Sequence, residues 1–319
     1  MVDDAVRDLR TESIDVVIGI GGGSALDAAK AIAGLLKTGD SVMEHLEGVG
    51  PERPYHGPAT PLIAVPTTAG TGSEATRNAV LSVPGPDGFK KSFRDEKLVA
   101  ECALIDPDLL ATCPPPVIAG NGMDALTQLL ESFVSSRAAP LTDSLAWGGM
   151  TAVRDGLHAL YANTGDAAAR ERMAYAALVS GITLAQAGLG SVHGLAAPLG
   201  ALFPIPHGVA CGTLIATATR VNLEALSARD PDHPALEKYA NVGRLLSQRG
   251  PLDQEAALDA LVETLEAWTR ALNLPKLGRY GVTPADVPRI VAGARGSSMK
   301  TNPILLDDAE LARIVTARL

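Results

Sequence analysis

Asp15-Val16-Val17-Ile18-Gly19-Ile20-Gly21-Gly22-Gly23-Ser24 is the stretch on which the reading of the fold turns. An apolar run that does not alternate with polar residues and closes on glycines is the pattern of a strand buried in a parallel sheet. Apolar residues at helical spacing follow over 24–36, and Ser24 stands where it could cap that helix. Strand, glycine turn and helix make the first half of a βα unit. A second apolar strand is expected over 61–65, running into Pro66-Thr67-Thr68, with further strands over 80–83 and 98–105 and a helix over 2–11.

Beyond Pro107 the periodicity becomes helical. Helices are expected over 117–136, 141–161, 167–188, 208–223, 234–246, 254–272 and 284–294, with a short last one over 307–319. The fold class is therefore an α/β N-terminal part over 1–107 followed by an all-α helical domain over 108–319. The first part reads as an incomplete dinucleotide-binding parallel sheet, because one clear strand precedes the glycines where such a platform needs several. On this reading the chain starts inside its first domain.

The composition narrows the class of molecule. With 46% apolar and 20% charged residues over 319 positions, the chain is an ordinary globular one, and aromatics at 3% leave the core aliphatic. A net charge of −9 with no basic stripe excludes nucleic acid as the expected partner. No apolar run approaches the roughly 18 residues that span a bilayer, and no signal peptide is visible, so a cytoplasmic location is expected. Cys102, Cys113 and Cys211 are too few and scattered for a disulfide framework and read as reduced thiols, with a catalytic role not expected.

Two loops carry chemistry. Gly21-Gly22-Gly23-Ser24 lies between strand and helix, where bare backbone can approach a phosphate at a positive helix end; a tight turn without ligand has the same sequence. Pro66-Thr67-Thr68-Ala69-Gly70-Thr71-Gly72-Ser73-Glu74 follows the second strand and offers hydroxyls, though a polar turn uses them too. Asp124 and Gln128 share a helix face at i, i+4, and His193 and His207 stand fourteen apart. A carboxylate and two imidazoles suit zinc or another divalent transition metal. Taken singly, Asp124 is equally a helix-capping residue and each histidine an ordinary structural one.

Gly21-Gly22-Gly23-Ser24 with Asp27 and Lys30, the loop 66–74 and Ile105-Asp106-Pro107 resemble the iron-containing (group III) alcohol dehydrogenase family. So do Gly122-Met123-Asp124-Ala125-Leu126-Thr127, Pro140-Leu141-Thr142-Asp143, Val192-His193-Gly194 and Pro206-His207-Gly208, in the family's order along almost the whole chain. The resemblance implies hydride transfer between NAD or NADP and an alcohol, aldehyde or ketone, and an ordinary homodimer without membrane or nucleic-acid partners. By position it places Gly22, Gly23, Ser24 and Asp27 at the cofactor, with Thr67, Thr68 and Thr71 along the nucleotide and Lys90 near ribose and nicotinamide. It puts Asp124, His193 and His207 on three of four ligands to a divalent metal, iron or zinc. Gln128 holds the fourth place, where the family has histidine, and Ala197 replaces another histidine tied to proton relay. Without metal, His193 or His207 would itself donate to the substrate oxygen. Metal-independent maleylacetate reductases, a lyase of the dehydroquinate-synthase type and a degenerate, catalytically weak member are the alternatives.

Overall fold

The computed structural model describes residues 1–83, 85 and 88–319. Helix α1 (Val2–Leu9) seats Val2 and Val6 in the core it shares with α2 (Gly23–Leu35). Strand β1 (Val17–Gly21) pairs in parallel with β2 (Leu62–Pro66), from Val17 opposite Leu62 to Gly21 opposite Pro66, with α2 crossing between them. Both strands thus deliver their following loops to one end of the sheet. That end is where parallel-sheet proteins place ligands.

Ser24 does not cap α2. The cap position belongs to Gly22, in extended conformation at φ −74° and ψ 179°, and no side chain bonds the first turn. Crowding favours glycine here: a Cβ on Gly22 would press on Thr68 Oγ1 at 3.3 Å, and one on Gly23 would strike Thr71 Oγ1 at 2.6 Å. The strand expected over 98–105 is also shorter. Asp95 accepts from Lys97 N and turns Glu96–Leu98 into a 3-10 helix, leaving β5 (Cys102–Ala103) beside β2 in the sheet order β1-β2-β5.

An antiparallel ribbon stands apart from this sheet, β3 (Asn78–Val83) against β4 (Phe89–Arg94). Strand β4 escapes the sequence reading because Phe89-Lys90-Lys91-Ser92-Phe93-Arg94 is polar at most positions. Its one deeply buried residue, Phe93, holds it down by packing on Tyr55 and His45 with ring centroids 5.2 Å away.

The helical part comprises α3 (Pro115–Val134), α4 (Pro140–Ala162), α5 (Ala167–Ala187), α6 (Ser191–Leu202), α7 (His207–Arg229), α8 (Pro234–Ser247), α9 (Gln254–Ala271), α10 (Val287–Gly293) and α11 (Asp308–Thr316). Helix α6 lies where the sequence shows only a glycine- and proline-rich segment. Burial of Val192, Leu195, Ala196 and Leu199 against α7, α10 and α11 carries it past Pro198, whose ring contributes no N–H. Helix α7 divides its faces between two cores, Ile215 and Leu226 in one and Leu214 and Val221 in the other. No single helix among the described residues is long and apolar enough to cross a membrane.

Helices α3 and α7 meet along a seam without side chains. A Cβ on Gly208 would lie 2.5 Å from the carbonyl oxygen of Gly120, and one on Gly212 would lie 2.7 Å from Met123 Cβ. Gly208→Ala is therefore expected to cost about 1–3 kcal/mol through overpacking against backbone. Gly200→Ala, whose Cβ meets nothing closer than 3.6 Å, should instead gain up to about 1 kcal/mol from helix propensity. Thermal denaturation of the two variants beside the parent checks the opposite signs.

Candidate active site and metal centre

One cleft of about 960 Å³ joins the two halves of the chain. Gly22, Gly23 and Ser24 at the start of α2 line one wall with Thr68 and Thr71, and His193 and His207 line another. Asp27 and Lys90 also border it, as do Gln128 and Ala197. Thr67 does not border the cleft, and its N–H donates to Gly21 O at 3.0 Å, carrying the β1–β2 pairing one step further.

Beneath the glycine turn a buried ammonium sets the loop positions. Lys30 Nζ donates to Thr76 Oγ1 at 2.8 Å, to Asn78 O at 2.9 Å and to Ser73 O, tying α2 to the loop after β2 and to β3. Ser73 Oγ donates to Asp27 Oδ1 at 2.7 Å. Burial pulls Lys30 down to about 8 against the charges of Asp27 and Glu74. Burial likewise raises the Asp27 carboxyl, with Lys30 opposing.

Across the cleft, three helices converge. Helix α3 brings Asp124, Gln128 and Glu131, α6 brings His193, and α7 brings His207 with Cys211 one turn later. His193 Nε2 lies 3.3 Å and His207 Nε2 3.9 Å from Asp124 Oδ1. The same nitrogens lie 3.7 and 3.8 Å from Cys211 Sγ. Ligand atoms of Asp124, His193, His207 and Cys211 all fall within 4.8 Å of one another.

The donor set fits a divalent cation. Asp124 is wholly buried, yet neither carboxylate oxygen has a hydrogen-bond partner among the described residues. A buried carboxylate without donors is costly unless a cation supplies what water would. Burial alone would raise its carboxyl, but the facing imidazoles of His207 and His193 hold it at about 2. Burial and then the Lys90 ammonium push His207 down to about 3, leaving a neutral ring with a lone pair to give. Burial lowers His193, but Cys211, Glu131 and Asp124 outweigh it and raise the imidazole well above its ordinary value.

Glu131 sets how His193 presents itself. Its Oε2 lies 2.6 Å from His193 Nδ1 and its Oε1 accepts from Val192 N at 2.7 Å, so Nδ1 carries the hydrogen and Nε2 faces Asp124. This is the carboxylate–histidine–metal arrangement that fixes tautomer and ring orientation. Gln128 is otherwise engaged, its Oε1 accepting from Ser180 Oγ at 2.7 Å. Sequence reasoning missed Glu131 and Cys211. The signals were present, since Glu131 stands at i+7 from Asp124 and Cys211 at i+4 from His207, each on the face of its known neighbour.

Comparison with known proteins accounts for both halves. Residues 1–107 match the family described as iron-containing alcohol dehydrogenase, and 118–319 match the C-terminal region of the Fe-containing alcohol dehydrogenase family. The chain is 30% identical to the NAD-dependent methanol dehydrogenase of Bacillus methanolicus over 317 residues, spanning 98% of this chain and 80% of that protein. It is 33% identical to the long-chain-alcohol dehydrogenase 1 of Geobacillus thermodenitrificans, spanning 99% and 78%. A crystal structure of 1,3-propanediol oxidoreductase superposes at TM-score 0.88 with 29% identity, over 100% of this chain and 80% of that one. The sulfoacetaldehyde reductase of Bifidobacterium kashiwanohense, solved in complex with NAD+, superposes at 0.83 with 28% identity, over 99% and 79%.

Replacing Glu131 tests the orienting bond. Glu131→Gln keeps the size but removes the charge that holds the Nδ1 hydrogen, and should weaken zinc binding by about 10–100-fold. Competition with a chromophoric chelator measures this, with circular dichroism to show that the fold is kept. Unchanged affinity would mean His193 needs no such partner.

Proposed function

The chain belongs to the iron-containing alcohol dehydrogenase family, and from that premise we propose how its own residues serve NAD-dependent interconversion of an alcohol and an aldehyde or ketone. The observation carrying the proposal is the single cleft running from the side-chain-free start of α2 to the imidazoles of His193 and His207. A dinucleotide on the first wall, with substrate beyond it, would bring the two ends of the cleft into one reaction.

The free N–H groups of the first turn of α2, at Gly23 and Ser24, would bind the pyrophosphate at the positive end of that helix. Gly22 is needed there because a side chain would fill the space between turn and Thr68. Thr68 and Thr71 offer hydroxyls along the nucleotide, Thr67 holds the loop by its backbone, and Asp27 fixes Ser73 at the floor. Lys90 brings the cation between this wall and the histidines, where nicotinamide and ribose would lie.

Asp124, His193 and His207 would hold a divalent metal, which when bound polarises a carbonyl oxygen and stabilises alkoxide. The remaining protein groups orient and exclude water. His207, at the cleft wall, stands where the substrate oxygen would lie beside the metal. Ala197 offers only a methyl in the cleft, and without metal His193 or His207 would itself donate to the substrate oxygen. The lyase reading is disfavoured by the dehydrogenase relatives. A cytoplasmic homodimer is part of this proposal, and light scattering of the purified chain checks the dimer.

The decisive measurement is NADH or NADPH oxidation against a panel of aldehydes and ketones, with and without added metal after chelation. Alcohol should accumulate in step with the nicotinamide consumed. Gly23→Val should raise the KM for the nicotinamide by roughly ten-fold or more, since its Cβ would strike Thr71. His207→Ala should lower kcat by about 10²-fold or more. Absence of nicotinamide binding in calorimetry, or product without net nicotinamide turnover, would refute the dehydrogenase reading.

A further inference from the structure

We propose that Cys211, not Gln128, supplies the fourth ligand of the metal centre, making it an aspartate–bis-histidine–thiolate site. The inference rests on the reading that Asp124, His193 and His207 bind a metal, and it concerns which fourth atom joins them.

Four donors around a tetrahedral ion have predictable separations. With metal–nitrogen and metal–oxygen bonds of about 2.0–2.1 Å and a metal–sulfur bond of about 2.3 Å, the edges are about 3.3 Å between N or O atoms and about 3.6 Å from N to S. The thiol sits 3.7 Å from His193 Nε2 and 3.8 Å from His207 Nε2. His193 Nε2 is 3.3 Å from Asp124 Oδ1, and His207 Nε2 is slightly long at 3.9 Å. These are close to four of the six edges of one coordination tetrahedron, and the other two separations lie within 4.8 Å.

Gln128 points its coordinating atom elsewhere. Its Oε1 accepts from Ser180 Oγ at 2.7 Å. The two helices trade roles. On α3 the residue one turn after Asp124 is a neutral amide, and on α7 the residue one turn after His207 is a thiol. A donor lost from α3 is replaced from α7, across the seam where Gly208 and Gly212 let the helices approach.

The placement keeps the centre accessible. Cys211 and Asp124 are wholly buried and form its floor, while His193 and His207 border the cleft. On binding, the Cys211 S–H bond breaks, its proton passes to solvent, and the sulfur lone pair forms the bond to the ion. No oxidant or reductant is involved. A thiolate makes the donor set softer, favouring zinc over harder ions.

Cobalt(II) is the probe, added in one equivalent to the metal-stripped full chain. The expected spectrum has intense tetrahedral visible bands and a near-ultraviolet thiolate-to-cobalt charge-transfer band. Cys211→Ser should bind cobalt without that band, and Gln128→Ala should keep it. As a check free of substitution, zinc-edge X-ray absorption of the unaltered protein should show one sulfur at about 2.3 Å. Bound cobalt or zinc with no sulfur neighbour overturns the Cys211 assignment alone, as does a charge-transfer band that survives Cys211→Ser. Failure of either ion to bind overturns the metal reading itself, and this assignment with it.

Discussion

The Asp124 carboxylate is ionised at the centre of a helix buried on nearly every face, with no hydrogen bond to either oxygen among the described residues and only the imidazoles of His193 and His207 facing it, at 3.3 and 3.9 Å. Burying such a charge unpaired costs several kcal/mol, and folding tolerates it only where other groups are brought to it. The fold around it follows. Helix α7 packs on α3 through glycines, so that His207 and Cys211 come within reach, and α6 forms against its sequence preference to deliver His193. The second carboxylate of α3, Glu131, is spent on holding that histidine in one orientation.

The α/β half has the inverse device. There the buried charge is the Lys30 ammonium, and its hydrogen bonds are all satisfied by the loop and strand that follow β2. A satisfied cation pins structure, whereas an unsatisfied anion invites a ligand. Lys30 thus fixes the distance between glycine turn and threonine loop, and Asp124 sets where the chemistry can occur. Glycines and small hydroxyl residues line the wall of the cleft on the α/β side.

Much of this was legible in the residues, and the gaps have physical causes. Strand β1 was readable as an unbroken apolar run closing on glycines, and the long helices because packing one face imposes period 3.6. Strand β4 and helix α6 were not, since a polar ribbon and a proline-bearing helix owe their existence to contacts with distant segments. Ser24 looked like a cap because serine usually is one. The true cap is Gly22, dictated by the threonines of a loop more than forty residues away.

Taken alone, the sequence carried the family, the glycine turn, and Asp124, His193 and His207 as candidate ligands, because each is written in contiguous residues. It also exposed Gln128 as a departure. That Cys211 stands beside Asp124 only the tertiary structure could decide. Helical spacing ties Cys211 to His207, but no spacing along the chain ties it to Asp124, which lies on another helix. Their meeting depends on how closely α3 and α7 approach, and that distance is set by side chains that glycine does not have.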